Sequence, residues 1–214
     1  MKDLNRRLFL AGSAAAPIAV ASAAPSLAAG PAGITLQEAL EGRQSVRRFG
    51  TAPLPEDQLL RLLWAANGVN RPETGGRTAP SWRSAYDTDL HVATAEGVFL
   101  HQPGTNTLER VLDRDIRAEA SDSAFVARAP ALLIYVSDGA RLRTAAEGAD
   151  DQALAVGAHV NAAVTAQNVY LACVAEGLGT CLIGGAANRD VIAAALSLAE
   201  GSIVTYVQPV GVPR

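Results

Sequence analysis

The run from Gln152 to Glu176 does most to restrict what this chain can fold into: it is rich in Ala, Val and Leu at helical spacing and almost without a polar face. A helix with one apolar stripe can lie on a surface. One that is apolar nearly all round must be covered on all sides, by its own chain or by a second subunit. The run therefore predicts a long, buried helix against which the other elements pack. His159, Asn161, Gln167 and Asn168 interrupt it, and such groups are expected to be paired at helix ends or across a seam between subunits. Gly177 and Gly179 end the helix, and Thr180 to Ile183 reads as a strand running into Gly184-Gly185.

The flanking segments supply helices and strands in irregular alternation. Thr35 with Glu38 forms a reciprocal cap for a short helix that stops at Gly42. Pro53 and Pro55 precede Glu56 and Asp57, a favourable helix start, and Leu59, Leu60, Leu62, Leu63 and Trp64 then give a broad apolar stripe ending near Asn67-Gly68. Asn70 to Ser84, with Pro72, Gly75, Gly76 and Pro80, has no apolar period and reads as a loop. Asp89 to Thr94 and Gly97 to His101 are expected strands separated by Ala95-Glu96, a hairpin spacing. Leu132 to Val136 is apolar at every position and suits a strand covered on both faces. A helix from Arg189 to Leu198 and a strand from Ile203 to Val210 complete the pattern. Without a βαβ repeat, this predicts an α+β fold with a mostly antiparallel central sheet flanked by helices.

The first residues are set apart from that domain. Asn5-Arg6-Arg7-Leu8-Phe9-Leu10 places twin arginines before a weakly apolar stretch, Ala11 to Ala24, and reads as a twin-arginine export signal. Small residues between Ala24 and Gly30 offer cleavage sites, so the expected organisation is a signal peptide over 1–29 and one domain over 30–214, periplasmic or extracellular. That route carries folded proteins, which favours a cofactor binder. No later run approaches the roughly 18 apolar residues that a membrane span needs. A net charge of −3, with 18 scattered Lys and Arg, gives no basic face for nucleic acid. Cys173 and Cys181 read as small buried hydrophobes rather than a disulfide. His91, His101 and His159 lack ligand spacing for a metal, and His91 and His101 are expected at the hairpin surface. The pairs Asp113/Asp115 and Asp150/Asp151 read as solvated loop charge, and neither Ser45 nor Ser81 has an evident base partner.

The chemistry-bearing stretch is Arg43-Gln44-Ser45-Val46-Arg47-Arg48-Phe49-Gly50, a short polar segment between two helices. Its guanidiniums offer planar forks of donors that fit phosphate oxygens two at a time, and the serine adds a donor that also accepts.

Four stretches in order, Arg43 to Phe49, Leu62 to Gly68 with Asn70-Arg71-Pro72, Arg77 to Ser81, and Ala166 to Ala172 with Gly177-Leu178-Gly179, followed by a closing Pro209 to Pro213, resemble the FMN-dependent nitroreductase family. That family also includes the flavin dehydrogenases that oxidise azolines in modified peptides, and the resemblance runs from about Leu36 to Arg214. It implies a homodimer binding FMN. Arg43 and Ser45 would take the ribityl phosphate, with Gln44 bonding nearby and Arg214 adding a contact. Arg47 would lie at the pyrimidine edge of the ring, where a cation stabilises the charge of the reduced cofactor, and Arg48 would face solvent. The Pro80-Ser81 loop would reach the flavin from the partner subunit. Ser84 stands where the family usually has Asn, and Trp82 would cover the ring or pack on the partner. Gly184 and Gly185 would bring backbone amides to the N5 edge, without the carboxylate many relatives carry there.

The implied activity is ping-pong hydride transfer through flavin N5, in which a small-molecule donor reduces the cofactor and an acceptor reoxidises it, with no catalytic side chain. Two alternatives stay open: a non-catalytic or flavin-free binding protein of this fold, and a flavin dehydrogenase oxidising a peptide or other organic substrate.

Overall fold

The computed structural model describes residues 33–214. The twin-arginine segment and the expected cleavage sites lie outside the described residues.

The longest helix, α4 (Asp151–Ala175), is the predicted apolar run. Asp150 caps it, its side chain accepting from the Ala153 amide at 2.7 Å, so this acid is a helix cap rather than free loop charge. At its other end Gly177 takes the left-handed φ of 68° that lets the Leu178 amide turn back to the Cys173 carbonyl. α1 (Leu36–Gly42) carries the capping box expected of Thr35 and Glu38. α2 (Glu56–Asn67) is tied to the end of α4 by Arg61, which forks onto both oxygens of Glu176 and also holds Asp57.

The segment expected to be a loop is partly built: β1 (Val69–Arg71) and β2 (Gly76–Arg77) form a small antiparallel hairpin, and a 3-10 turn covers Trp82–Ser84. The main sheet has β3 (Thr88–Thr94), β4 (Gly97–Gln102), β5 (Thr107–Leu112), β6 (Ala131–Ser137), β7 (Gly179–Thr180) and β8 (Ile203–Gly211) in the order β5-β4-β3-β6-β8-β7, every pair antiparallel. The strand expected over Thr180 to Ile183 is shorter: beyond Thr180 only Ile183 touches the sheet, as a single bridge to Val207. Two short helices complete the order, α3 (Gly139–Ala145), capped by Asp138, and α5 (Arg189–Ala195).

Side-chain alternation in β6 explains the uniform apolar run there. Leu133 and Tyr135 face α2 and α4, meeting Leu62, Leu63, Ala162, Ala166 and Val169. Leu132, Ile134 and Val136 face the opposite layer, with Ile116, Val126, Ile192 and Val207. Every residue of β6 is buried, and covering each of its Leu, Ile and Val side chains contributes roughly 1.5–3 kcal/mol. The histidines correct the sequence expectation: His91 and His101 are buried, at 7% and 2% exposure, because the hairpin is covered on both faces. Both cysteines are free and buried. Among the described residues no helix is long and apolar enough to cross a membrane, and no three His, Cys, Asp or Glu side chains gather as a metal set.

Candidate functional site

The arginine segment is strung between the edge of the sheet and the chain's end. Ser45 bridges Thr180 of β7 in parallel, with the Val46 amide donating to the Thr180 carbonyl at 2.8 Å. Further along, Phe49 bridges Pro213, the Gly50 amide donates to Val212, and the Arg214 amide donates to the Arg48 carbonyl at 3.1 Å. Gly179 permits this seating: a Cβ there would come within 2.8 Å of Val46. Arg43 is consequently half-buried while Gln44, Ser45, Arg47, Arg48 and Arg214 are exposed. Among the described residues none of Arg43, Arg47 and Arg214 pairs with a carboxylate, although every other ion pair found there uses an arginine. A row of uncompensated cations with a hydroxyl, in a chain of net charge −3, is chemistry for an anion.

A residue that sequence reading passed over organises this end. Tyr170, on the sixth turn of α4, lies under the Arg43 guanidinium, 5.4 Å from ring centroid to Cζ, and its hydroxyl is 3.1 Å from Ser45 Oγ. The same hydroxyl accepts the Leu182 amide at 2.8 Å. Only an unexpected hydroxyl among the apolar residues of α4 marks it in sequence.

From Leu182 the chain passes Ile183, pinned to Val207 by two backbone bonds, into Gly184 and Gly185. The Gly184 carbonyl accepts from Arg189, which also holds the Val204 and Thr205 carbonyls, so that the turn is clamped from behind. Gly185 is exposed, and a Cβ there would meet nothing within 4 Å, leaving its backbone open to a ligand. Tyr206 stands beside Gly184 and meets the His159 ring edge-on at 5.2 Å. Partial burial, and then the Arg189 charge, hold the His159 imidazole below its ordinary value.

The third predicted piece is elsewhere. Pro80 and Ser84 are exposed, Ser81 Oγ accepts from the Tyr86 amide at 2.9 Å, and Arg83, Ser84 and Tyr86 all have left-handed φ between 44° and 55°. Trp82 packs on its own α4 at Gly157, where a Cβ would be 2.4 Å from its ring, and keeps part of its surface exposed. The Trp82 amide donates to Asn161 Oδ1 at 2.7 Å, and Asn161 donates to the fully buried Asp87 at 2.6 Å. Ser137 donates to the other Asp87 oxygen. Gly157 and Asn161 share one face of α4, whereas His159, about 200° round the helix from Gly157, faces Tyr206 and Gly184. The chain thus brings Arg43, Gln44, Ser45, Arg47, Arg214, Gly184 and Gly185 to one side of α4 and leaves Pro80, Ser81 and Ser84 on the other.

An all-antiparallel six-stranded sheet with a long apolar helix packed against it and an anion-suited edge defines the class of protein; comparison with known proteins then specifies it. The model of the nitroreductase family matches residues 40–212. The Methanocaldococcus jannaschii protein MJ1384, whose name places it among the nitroreductases, is 32% identical over 168 residues, 74% of this chain and 82% of that protein. The crystal structure of a Ralstonia eutropha JMP134 protein, described with the nitroreductases, superposes with a TM-score of 0.78 at 34% identity, over 85% of this chain and 84% of that one. The NADPH:FMN oxidoreductase of Vibrio harveyi, solved with NAD+, shares the fold at a TM-score of 0.62 and 23% identity, over 83% of this chain and 68% of that one. The chain belongs to the nitroreductase family.

Proposed function

We propose that the chain is an exported, homodimeric FMN-dependent oxidoreductase that passes a hydride to or from a small organic substrate in a ping-pong cycle. The observation that carries this is the unpaired cationic edge, Arg43, Arg47 and Arg214 around Ser45, which shares one side of α4 with the open Gly184-Gly185 backbone. These residues fit the cofactor by their chemistry: guanidinium forks and a hydroxyl suit a phosphate, and an unobstructed glycine backbone suits close approach of a flat ring. Flavin, when bound, supplies hydride transfer through N5.

The chain's own part is to hold and tune. Arg43 and Ser45 would bind the phosphate, Arg47 would place positive charge beside the ring, and Arg189 would keep the Gly184 turn rigid. The position of Pro80 to Ser84 on the far face of α4 supports a site completed by a second copy. Two clefts, about 490 Å³ between α1, α2 and α4 and about 390 Å³ beside the β3–β4 turn, are lined by none of the proposed site residues, whereas Gln44 lines a smaller one of about 230 Å³ with Tyr170 and Thr180. The family relationship, and the Vibrio harveyi oxidoreductase sharing this fold, support flavin as the cofactor. Export by the twin-arginine route rests on the Arg6-Arg7 segment.

Purified wild-type protein should carry a yellow chromophore, released on denaturation as FMN, that bleaches with a hydride donor and recolours with a quinone or nitroaromatic acceptor. Replacing Arg43 and Arg47 with Ala should cut the flavin content at least tenfold while the fold persists. Unchanged flavin content in that double variant would overturn the site, and a colourless wild type that takes up no added FMN would overturn the function.

A further inference from the structure

We infer that the Tyr170 hydroxyl is a positioning group that couples the two ends of the cofactor cradle, so that filling the phosphate end orders the Gly184-Gly185 backbone. The inference rests on the flavin reading for what fills the cradle, though its geometry stands by itself.

The coupling runs through one oxygen atom. The Leu182 amide donates to Tyr170 Oη at 2.8 Å, occupying one lone pair. Ser45 Oγ lies 3.1 Å from that oxygen, within reach of its proton. When Tyr170 donates to Ser45, the serine proton is left free to point outward at an anion, and the three groups form a directed chain: Leu182 N–H to Tyr170 O–H to Ser45 O–H to ligand. Each bond in such a chain polarises the next, so a negative charge at the serine end strengthens the bond at the amide end. Arg43, stacked on the Tyr170 ring at 5.4 Å, adds a second contact between the anion-suited segment and the same side chain.

The amide end of this relay matters because Leu182 leads directly into the glycine turn. Ile183 is pinned to Val207 and the Gly184 carbonyl to Arg189, so the amide held by Tyr170 sets the entry to a short turn whose remaining anchors are already in place. The Leu182–Tyr170 bond is therefore the one of these three anchors that the ligand end can reach, and its strength sets how tightly the entry to the Gly184-Gly185 turn is held. Tyr170 reaches both partners because α4 passes behind β7 at this level, and a Phe there would fill the same space without the relay.

The test uses the full mature chain. Amide hydrogen exchange of the wild type is followed across Leu182 to Gly185 with no addition, with inorganic phosphate alone, and with FMN. The inference predicts that inorganic phosphate alone slows exchange in this stretch, and that Tyr170→Phe abolishes the phosphate effect. Absence of phosphate-induced protection in the wild type overturns it.

At saturating FMN, Tyr170→Phe should weaken binding about tenfold or more and displace the midpoint potential and visible absorption maxima of the bound flavin. Ser45→Ala should weaken binding and abolish the phosphate effect, with smaller displacements of potential and maxima because the Leu182 amide keeps its bond to Tyr170. A Tyr170→Phe protein that matches Ser45→Ala in every readout, or matches the wild type, also overturns the inference. A wild type that shows the phosphate effect but never binds FMN overturns the proposed function and leaves the coupling standing. Far-UV circular dichroism of the flavin-free variants reports their folding, and the wild-type exchange measurement decides the matter if Tyr170→Phe does not fold.

Discussion

His91 and His101 are polar side chains held where water does not reach, and each has an unpartnered Nδ1. Burial pushes both imidazoles below their ordinary 6.5; at His101 the Asn106 hydrogen bond opposes this and the nearby Arg77 charge adds to it, while at His91 Asp89 opposes it. The neutral form therefore belongs to the native state. As pH falls through about 6.5 the unfolded chain binds protons that the folded chain refuses, so stability declines and then levels off once the native values are passed. Urea unfolding between pH 8 and pH 5 should show a falling midpoint below pH 7, and His101→Leu should flatten it. A flat midpoint in the wild type would contradict the burial. Asp57 and Asp115, held below 3.8 by hydrogen bonds from Arg61 and Arg117, act in a separate, more acid window. Asn161 carries a second expectation at this scale. It joins the Trp82 amide to the buried Asp87 carboxylate, so Asn161→Leu leaves that amide and Asp87 Oδ1 without a partner, with Ser137 still donating to the other oxygen, and should lower unfolding free energy by roughly 2–4 kcal/mol in denaturant titration. Neither role was visible in the chain alone, where His101 read as a surface strand residue and Asn161 only as an interruption of an apolar run.

At the scale of elements, legibility followed burial. β6 was plain in the sequence because it is covered on both faces and needs apolar residues at almost every position, and α4 because of its length and apolar content, although only nine of its 25 residues are buried. β5 escaped notice because it is an edge strand, mostly exposed, whose Glu109 and Arg110 break any alternation. α3 escaped for a related reason: it is a single short helix in which only Gly139 and Leu142 are buried. Gly157 shows how one element can depend on a residue that favours no helix. Ala is better than Gly in a helix interior by about 1 kcal/mol, yet a Cβ at 157 would press within 2.4 Å of Trp82. Overpacking of that kind costs typically about 1–3 kcal/mol. Gly157→Ala should therefore lower the melting temperature and loosen the Pro80 to Ser84 loop, seen as higher protease sensitivity there; a stabilised variant would refute the packing.

The whole molecule is arranged around α4 as a partition. The cationic edge and the Gly184 turn lie on one side, the strained loop from Pro80 to Ser84 on the other, and the helix also exposes Val156 and Val160, at 56% and 50%. An exposed apolar stripe on the chain's most apolar helix fits the proposed dimer. Val160→Glu would put a charge in that seam, so the variant should run as a monomer in light scattering and lose bound flavin with it. A dimeric, flavin-loaded Val160→Glu protein would place the subunit contact elsewhere.

The local elements could be read from the chain because their causes lie within a few residues of one another: the Thr35/Glu38 cap, the Ala95-Glu96 hairpin turn and the period of α2 are neighbour effects. The same is true of the cationic, anion-suited chemistry of Arg43 to Arg47, which the side chains set wherever the segment falls. Tertiary structure alone decided which groups meet. Tyr170 is 125 residues from Ser45 and Asn161 is 79 from Trp82, and a hydrogen bond across such separations leaves no periodic trace. It depends on how the helix is rotated against the sheet, and the packing of many apolar side chains sets that rotation together.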